Sequence, residues 1–551
     1  MNAACRAGIA ACTRFFLAAT AIFWGGVSTA QVLIVQAKGD TVMIFQGMDG
    51  RALRDSLRSF HVEAHRSGFL QSRTDSLSTQ GDTLTAFVNR GMRFGAVVST
   101  EKKGAGRIDS LNEAALSLIG GIYLKPLEDN GYPFASALLT AELANDSTMA
   151  FSATTERGPF IEFDSLIIRS EKPFSRAALG QYYQIRKGRP YSESILQSIP
   201  KKTKELNYAR MGQAPQVVFK EGKADVYLWL DDVKASRFDG IIGFQPDAAT
   251  GRPVFTGDLS LYLENALRRS EQIEFQWRRL QEQTQNLKLT ASLPYLLQTR
   301  LGIWGGVELY RRDSTFSTSD VDLALGYLIG ADRYLRTFIE RWSSNALRDG
   351  VAGVDNVSLR RYGVALRLFE LDDFENPMRG SLINTELGAG LKDLTPASDL
   401  GETIRVSQYS GTLTGGVWMP LASRWSLVMR VNAGFKADST LRLNEHYRIG
   451  GLTSLRGFDE ESIFARSYSI GTLELKYRLD RKSAVLAFLD QGWYDRIADG
   501  SVSDTPFGFG VGALIGTENS TFRIFYALGR EQNNPVLVRN GKVHFGFINR
   551  F

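Results

Sequence analysis

From about Ala235 to Phe551 the chain repeats one pattern, apolar then polar residues in strict alternation. Leu473, Leu475, Tyr477 and Leu479 alternate with Thr472, Glu474, Lys476 and Arg478. Trp425, Leu427, Met429, Val431, Ala433 and Phe435 stand against Ser426, Arg430, Asn432 and Lys436. Phe255, Leu259, Leu261 and Leu263 do the same against Thr256, Asp258, Ser260, Tyr262 and Glu264. A period of two belongs to strands with two unlike faces. Soluble sandwiches alternate as well, but here the polar face carries Arg, Glu and Lys over segments long enough to cross lipid. Only helices and closed barrels satisfy their backbones in hydrocarbon. Past the N-terminal segment no apolar run reaches the ~20 residues of a spanning helix. The pattern predicts a transmembrane β-barrel of about sixteen strands. Trp277, Trp304, Trp342, Trp418, Trp425 and Trp493 are expected in its interfacial aromatic girdles.

Residues 1–30 read as a secretory signal peptide. Arg6 and Arg14 make a basic start, Phe15 to Val27 is mostly apolar, and Ser28-Thr29-Ala30 precedes Gln31. An anchor helix would need a longer run, and a lipoprotein signal at Ile9-Ala10-Ala11-Cys12 would need its apolar run before the cysteine. Both cysteines, Cys5 and Cys12, lie in this leader, so the mature chain has neither disulfides nor a thiolate metal site. Without Arg6 and Arg14, 63 basic residues face 59 acidic ones, and the net charge falls from +6 to +4. That balance is too even to argue for nucleic acid binding.

Residues 31–234 have a different character. Leu53 to Ser67 and Leu111 to Asn130 read as helices, each running into a glycine-aromatic turn, Gly68-Phe69 and Gly131-Tyr132. Two strand-like runs and another glycine, Gly91 or Gly158, follow each. The recurrence suggests tandem small domains, 31–100 and 101–159. In a third unit, 160–234, Phe163 to Arg169 is strand-like, Ser175 caps a helix, and Tyr191 to Leu206 is a second helix. Gln216 to Lys220 and Asp225 to Leu230 then make a hairpin around Glu221-Gly222. The order β-α-α-β-β leaves a sheet edge open to an extended client.

Two short motifs stand out in the barrel region. Leu455-Arg456-Gly457-Phe458 lies in the longest late loop, about Asp438 to Arg466, and Phe488-Leu489-Asp490-Gln491-Gly492 lies on a strand. Asp490 shares a face with Gly492, opposite Leu489 and Trp493, so it points into the lumen if those two meet lipid. Arginine suits a buried carboxylate because its planar fork binds at two points. Gly457 allows a tight turn, and Phe458 is expected to fill space beside the guanidinium.

With these residues the chain resembles the BamA/TamA/FhaC superfamily of outer-membrane assembly and secretion barrels. Leu455 to Phe458 matches that family's V/I-R-G-F/Y lid-loop motif, and Phe488, Asp490 and Gly492 its F-x-D-x-G strand motif. Asn376-Pro377-Met378-Arg379-Gly380 resembles its periplasmic Pro-x-Arg-Gly turn. His544, Gly546, Asn549 and Phe551 match its C-terminal sorting signal, with Asn549 where a hydrophobic residue is usual. The resemblance implies periplasmic POTRA-like domains of β-α-α-β-β order, then a sixteen-stranded antiparallel transmembrane barrel over 235–551. It implies an Arg456–Asp490 pair in the lumen. It also implies unfolded outer-membrane or secreted polypeptides as clients and outer-membrane lipid as surroundings. Periplasmic chaperones or an inner-membrane partner fit the same implication, with no cofactor.

The working element expected is the seam between the first strand, about Arg237 to Gln245, and the last, about Val543 to Phe551. Gly240 and Gly243 weaken the first of these. Insertion or assembly of outer-membrane proteins is the function read here. A secretion pore for one partner polypeptide is the alternative, though 31–52 contain neither proline nor a clear plug helix. A diffusion porin leaves the N-terminal domains unexplained. No G-x-S-x-G elbow supports a hydrolase. His61 and His65 lack H-E-x-x-H spacing. Gly508, Gly510 and Gly512 alternate along a strand instead of opening a dinucleotide loop.

Overall fold

The computed structural model describes residues 32–37, 40–46, 50–80, 83–100, 103–246, 253–281, 284–348, 351–373, 376–397, 402–498, 500–517, 520–532 and 536–550. The expected leader, its two cysteines and Phe551 lie outside the described residues. The chain divides into two compact units. The first holds the described residues up to Ser165, with Arg186–Ser198 and Val217–Val226; the second holds Leu166–Ile185, Ile199–Gln216 and everything from Tyr227.

The first small domain comprises β1 (Val32–Ala37), β2 (Asp40–Gln46), α1 (Gly50–Arg66), β3 (Arg73–Gln80) and β4 (Thr83–Asn89). Its sheet order is β2-β1-β4-β3, with β1 parallel to β4. The second repeats it with β5 (Gly95–Thr100), β6 (Lys103–Ile108), α2 (Glu113–Glu128), β7 (Ser136–Asn145) and β8 (Thr148–Glu156), in the order β6-β5-β8-β7. The intervening helix supplies the crossover that a parallel pair requires. Gly68 and Gly131 end the two helices at φ +92° and +95°, and Gly91 and Gly158 both sit at +69°. These left-handed positions favour glycine, so the sequence recurrence is a recurrence of backbone shape.

Two expectations change here. Both domains begin with a hairpin, β1–β2 or β5–β6, ahead of the helix that opens each unit in the sequence pattern, giving β-β-α-β-β. The boundary drawn at residue 100 also cuts the second sheet, because β5 pairs with β6 and β8. Phe94 and Ala96 accordingly pack against Ile119 of α2 in the second domain's core.

The third small domain has the expected order: β9 (Glu162–Arg169), α3 (Arg176–Tyr183), α4 (Glu193–Thr203), β10 (Ala209–Lys220) and β11 (Lys223–Asp232), in a β10-β11-β9 sheet. Ser175 Oγ accepts from Ala178 N at 3.2 Å and caps α3. Asp129, just past α2, serves the start of α4. Its Oδ1 accepts from Ser192 Oγ and Ser194 N, both at 2.8 Å, and its Oδ2 from Ser194 Oγ at 2.6 Å.

The barrel begins with β12 (Arg237–Pro246), β13 (Pro253–Glu264), β14 (Gln272–Gln281), β15 (Thr284–Leu296), β16 (Leu301–Arg312) and β17 (Phe316–Leu328). It continues through β18 (Tyr334–Ala346), β19 (Asn356–Leu371), β20 (Gly380–Thr395), β21 (Ile404–Pro420) and β22 (Trp425–Ala437). A loop containing the hairpin β23 (Tyr447–Ile449) and β24 (Ile463–Ala465) follows. The wall closes with β25 (Ser467–Arg478), β26 (Ala484–Ala498), β27 (Gly500–Asp504), β28 (Phe507–Gly516), β29 (Ser520–Arg530) and β30 (Lys542–Arg550). β27 and β28 pair with β26 in a single register, interrupted at Thr505-Pro506, so the wall has sixteen antiparallel positions.

Alternation sorts the two faces as expected. Leu473 and Leu475 are exposed to the outside, while Glu474 and Lys476 are buried in the lumen. The tryptophans divide. Trp425 and Trp493 face outward, but Trp304 and Trp342 turn inward beneath Arg336 and Lys436. Trp418 also faces the lumen, since it pairs directly with the buried Val428. A filled, cation-rich lumen gives an aromatic ring partners that a water-filled channel would not.

Burial alone would raise the Asp129 carboxyl, but hydrogen bonds from Ser194 and Ser192 outweigh it and hold it below its ordinary 3.8. A depressed carboxylate stabilises the fold above its unfolded value and loses that contribution as pH falls through the folded value. Protection factors for the Ser194 and Ile195 amides are expected to hold at neutral pH and drop in acid below 3.8. Asp129→Asn should abolish the acid-dependent step, as read by pH-resolved hydrogen exchange.

Candidate functional site

The loop from Asp438 to Arg466 folds back into the barrel as a small structure with its own core. Ile449, Leu455, Phe458, Ile463 and Ala465 pack on Tyr468, Ile470 and Tyr494 of the wall. The β23–β24 hairpin pairs the backbone of its two arms. Those contacts fix where residues 455–458 sit.

Arg456 is the centre of the site and is 4% exposed. Its Nε donates to Asp490 Oδ2 at 2.7 Å and its Nη2 to Asp490 Oδ1 at 2.6 Å, a two-point fork. Its backbone N also donates to Asp490 Oδ2 at 3.2 Å. Nη1 reaches a second carboxylate, Glu474 Oε1, at 2.6 Å. Thr472 Oγ1 donates to Asp490 Oδ1 at 2.8 Å, and Arg430 Nη2 to Glu474 Oε1 at 2.5 Å. Phe488 lies under the guanidinium, 3.6 Å from its ring centre. Phe458 was expected in that place; it packs instead in the loop's apolar core, close to Gly529. The exchange follows from β26, where Phe488 and Asp490 share the inner face two residues apart.

The loop backbone presses on wall positions that have no side chain. Gly457 sits at φ +93°, and a Cβ on Gly508 would lie 1.9 Å from Arg456 O. Gly492 N donates to Pro506 O at 2.7 Å, across the interruption in the neighbouring strand. Of the expected sorting-signal residues, His544 joins the site, its Nε2 accepting from Gly457 N at 3.4 Å. Gly546 faces Leu452 of the loop. Asn549 is elsewhere, with Oδ1 accepting from Ser520 Oγ at 3.0 Å.

A second anchor was not read from the sequence. Lys392 on β20 is wholly buried and donates to Asp438 and Glu445 at 2.9 Å and to Thr440 O at 3.1 Å. Gln408 Nε2 bridges the same two carboxylates at 2.6 and 2.8 Å. Only the alternation that sets Lys392 inward hinted at it. Between the anchors the loop also touches distant wall strands. Arg448 lies 3.5 Å over the Tyr310 ring of β16, and Asn444 Nδ2 donates to Ser344 Oγ of β18 at 2.7 Å. His61, weighed as a metal ligand, is hydrogen bonded to Ser72 and Thr74 within the first domain.

Removing one partner of a buried ion pair strands the other charge and costs about 3–5 kcal/mol. Arg456→Ala, which leaves Asp490 and Glu474 uncompensated, is expected to lower the temperature of the heat-modifiable gel shift and expose 438–466 to protease. Lys392→Met should have a comparable effect through Asp438 and Glu445, with the first new cleavages near 438–445.

Comparison with known proteins agrees with this architecture. The model of the Omp85 superfamily domain matches residues 258–551, more than half of the chain. None of the curated proteins matches it in sequence. CdiB from Acinetobacter baumannii superposes with a TM-score of 0.51 at 14% identity, over 81% of this chain and 83% of that one. CdiB from Escherichia coli gives 0.50 at 16% identity, over 91% and 98%. BamA from Haemophilus ducreyi lacking POTRA domains 1–3 gives 0.46 at 14% identity, over 84% and 99%. At such identities the two CdiB structures share the fold with this chain. With a family match across the barrel and its lumenal loop, the chain belongs to the Omp85 superfamily.

Proposed function

We propose that this chain inserts or assembles proteins in the outer membrane, templating client strands at the seam between β12 and β30. In this reading 1–30 is a leader, the three small domains are periplasmic POTRA-like units, and 235–551 is the barrel. The observation that carries it is the seam itself. Among the described residues β12 and β30 share two residue pairs, Arg237 with Arg550 and Phe238 with Asn549. Continued in register, the ladder would run to Gln245 opposite Lys542. On their other sides β12 makes ten pairs with β13, and β30 eight with β29. Among the described residues most of the seam's length carries no β12–β30 pair, which in this reading leaves it to an incoming strand, and backbone hydrogen bonds require no nucleotide energy.

The lumenal loop favours assembly over the secretion-pore alternative. A polypeptide passing through the barrel would have to displace a loop held at both Lys392 and Arg456. A client joining the seam leaves those contacts in place.

The mature chain's lack of cysteine makes the test clean. In Phe238→Cys/Asn549→Cys, oxidation would lock the seam. Quantitative proteomics of a strain depending on this copy is expected to show many outer-membrane barrel proteins falling under oxidation and recovering on reduction. Normal barrel levels with the seam locked would overturn the reading. Loss of one exported protein, whether the seam is locked or free, would establish the pore instead.

A further inference from the structure

The end of the barrel where the β21–β22 and β25–β26 turns lie, with Ser423, Arg424 and Asp480 to Lys482, opens on a cavity of about 2120 Å³. Small-molecule clefts occupy roughly 300–1,000 Å³, so the space suits a chain segment better than a metabolite. Its wall contains eight carboxylates, and every one is already engaged. Five are in salt bridges, such as Asp332 with Arg367 at 3.0 Å and Glu370 with Lys201 at 2.9 Å. The other three accept hydrogen bonds, Asp480 from the backbone of Lys482 and Ser483, for example.

The cations of the same wall are not balanced in this way. Lys204, Lys234, Arg379, Arg424 and Arg478 form no salt bridge among the described residues. Three of these lie on neighbouring turns or strand ends, Arg379 before β20, Arg424 before β22 and Arg478 at the end of β25. Arg478 N donates to Arg424 O at 2.8 Å, which pairs the two residues' backbones directly. Arg379 is attracted by Glu370, which Lys201 already engages, and cations left outside salt bridges around a concave, low-dielectric mouth focus a positive potential into it.

We infer that this mouth receives acidic stretches of the client polypeptide, with Arg379, Arg424 and Arg478 as the recognising cations. The inference rests on the reading that the chain handles polypeptides, and adds which segments it admits. A membrane surface fits less well, because these side chains line a cavity whereas the barrel's outer face is apolar.

The test uses the full chain in phosphatidylcholine vesicles and three flexible Gly-Ser peptides. One carries Asp and Glu, one Asn and Gln in their place, and one Lys. At low salt the acidic peptide is expected to bind roughly tenfold tighter than the neutral one. The preference should vanish at high salt and in R379Q/R424Q/R478Q, whose unchanged heat-modifiable mobility would report an intact barrel. R379E/R424E/R478E should turn the preference towards the lysine peptide. Equal binding of acidic and neutral peptides, or an acidic preference surviving the triple Gln variant, overturns the proposal. So does a triple-variant defect confined to recruitment of phosphatidylglycerol vesicles, which would make the ligand lipid. Locked Phe238→Cys/Asn549→Cys should still bind the acidic peptide, so a failure of seam templating leaves this result standing, and the converse holds too.

Discussion

A strand bordered by hydrocarbon has no water to satisfy its amide and carbonyl groups, and each unpaired group costs several kcal/mol. That constraint explains why the chain closes into a barrel and why its other strand boundaries carry long ladders. It also makes the boundary between β12 and β30 an exception that something else must support. Part of the support comes from inside. Asp459 of the lumenal loop meets Lys542 at 2.7 Å, and Gly457 meets His544 at 3.4 Å, both residues of β30. The last strand is therefore braced by β29 on one side and by the loop from within, while its contact with β12 stays short.

The same loop explains how so much charge is accommodated in the lumen. A buried ion is tolerable only with near-complete pairing and hydrogen bonding. Arg456 achieves it with two carboxylates and an aromatic face, and Lys392 with two carboxylates and a carbonyl. These two sites lie at opposite ends of the loop's grip, one on β20 and the other on β25 and β26. Wall glycines serve the arrangement by absence, since a side chain at Gly508 would occupy the position of Arg456 O.

Much of this was legible in the sequence because a period of two assigns faces without reference to partners. It set Glu474, Lys476 and Asp490 inward, and the spacing of Gly68, Gly91, Gly131 and Gly158 marked a real repetition of backbone. What it could not supply was the identity of contacts made across the lumen. Glu474 reads as one more polar residue of β25 until the loop brings Arg456 to it, and Lys392 is no different until Asp438 and Glu445 arrive. An amphipathic ring fits a membrane interface, which is what a sequence alone implies for Trp304, Trp342 and Trp418. A lumen filled with arginine and lysine offers such a ring equally good company. The opening hairpins of the first two domains were hidden by brevity, strands of six or seven residues carrying too few alternations to separate from their surroundings.

Under the proposed function, the contacts favour one of two routes a polypeptide could take. In an antiparallel ladder, two adjacent residue pairs contain one hydrogen-bonded pair, which exchanges two bonds. The two pairs seen between β12 and β30 thus amount to about two ladder bonds, against ten residue pairs at the β12–β13 boundary. Clearing the lumen means separating the loop from its partners at both Arg456 and Lys392 and exposing the apolar core around Leu455 and Phe458 as well. The seam is held by fewer contacts than the loop, and opening it leaves the loop's brace on β30 intact. A strand entering there gains ladder bonds with β12 as it arrives, whereas a chain threading the lumen would have to replace two fully satisfied cation sites with nothing comparable.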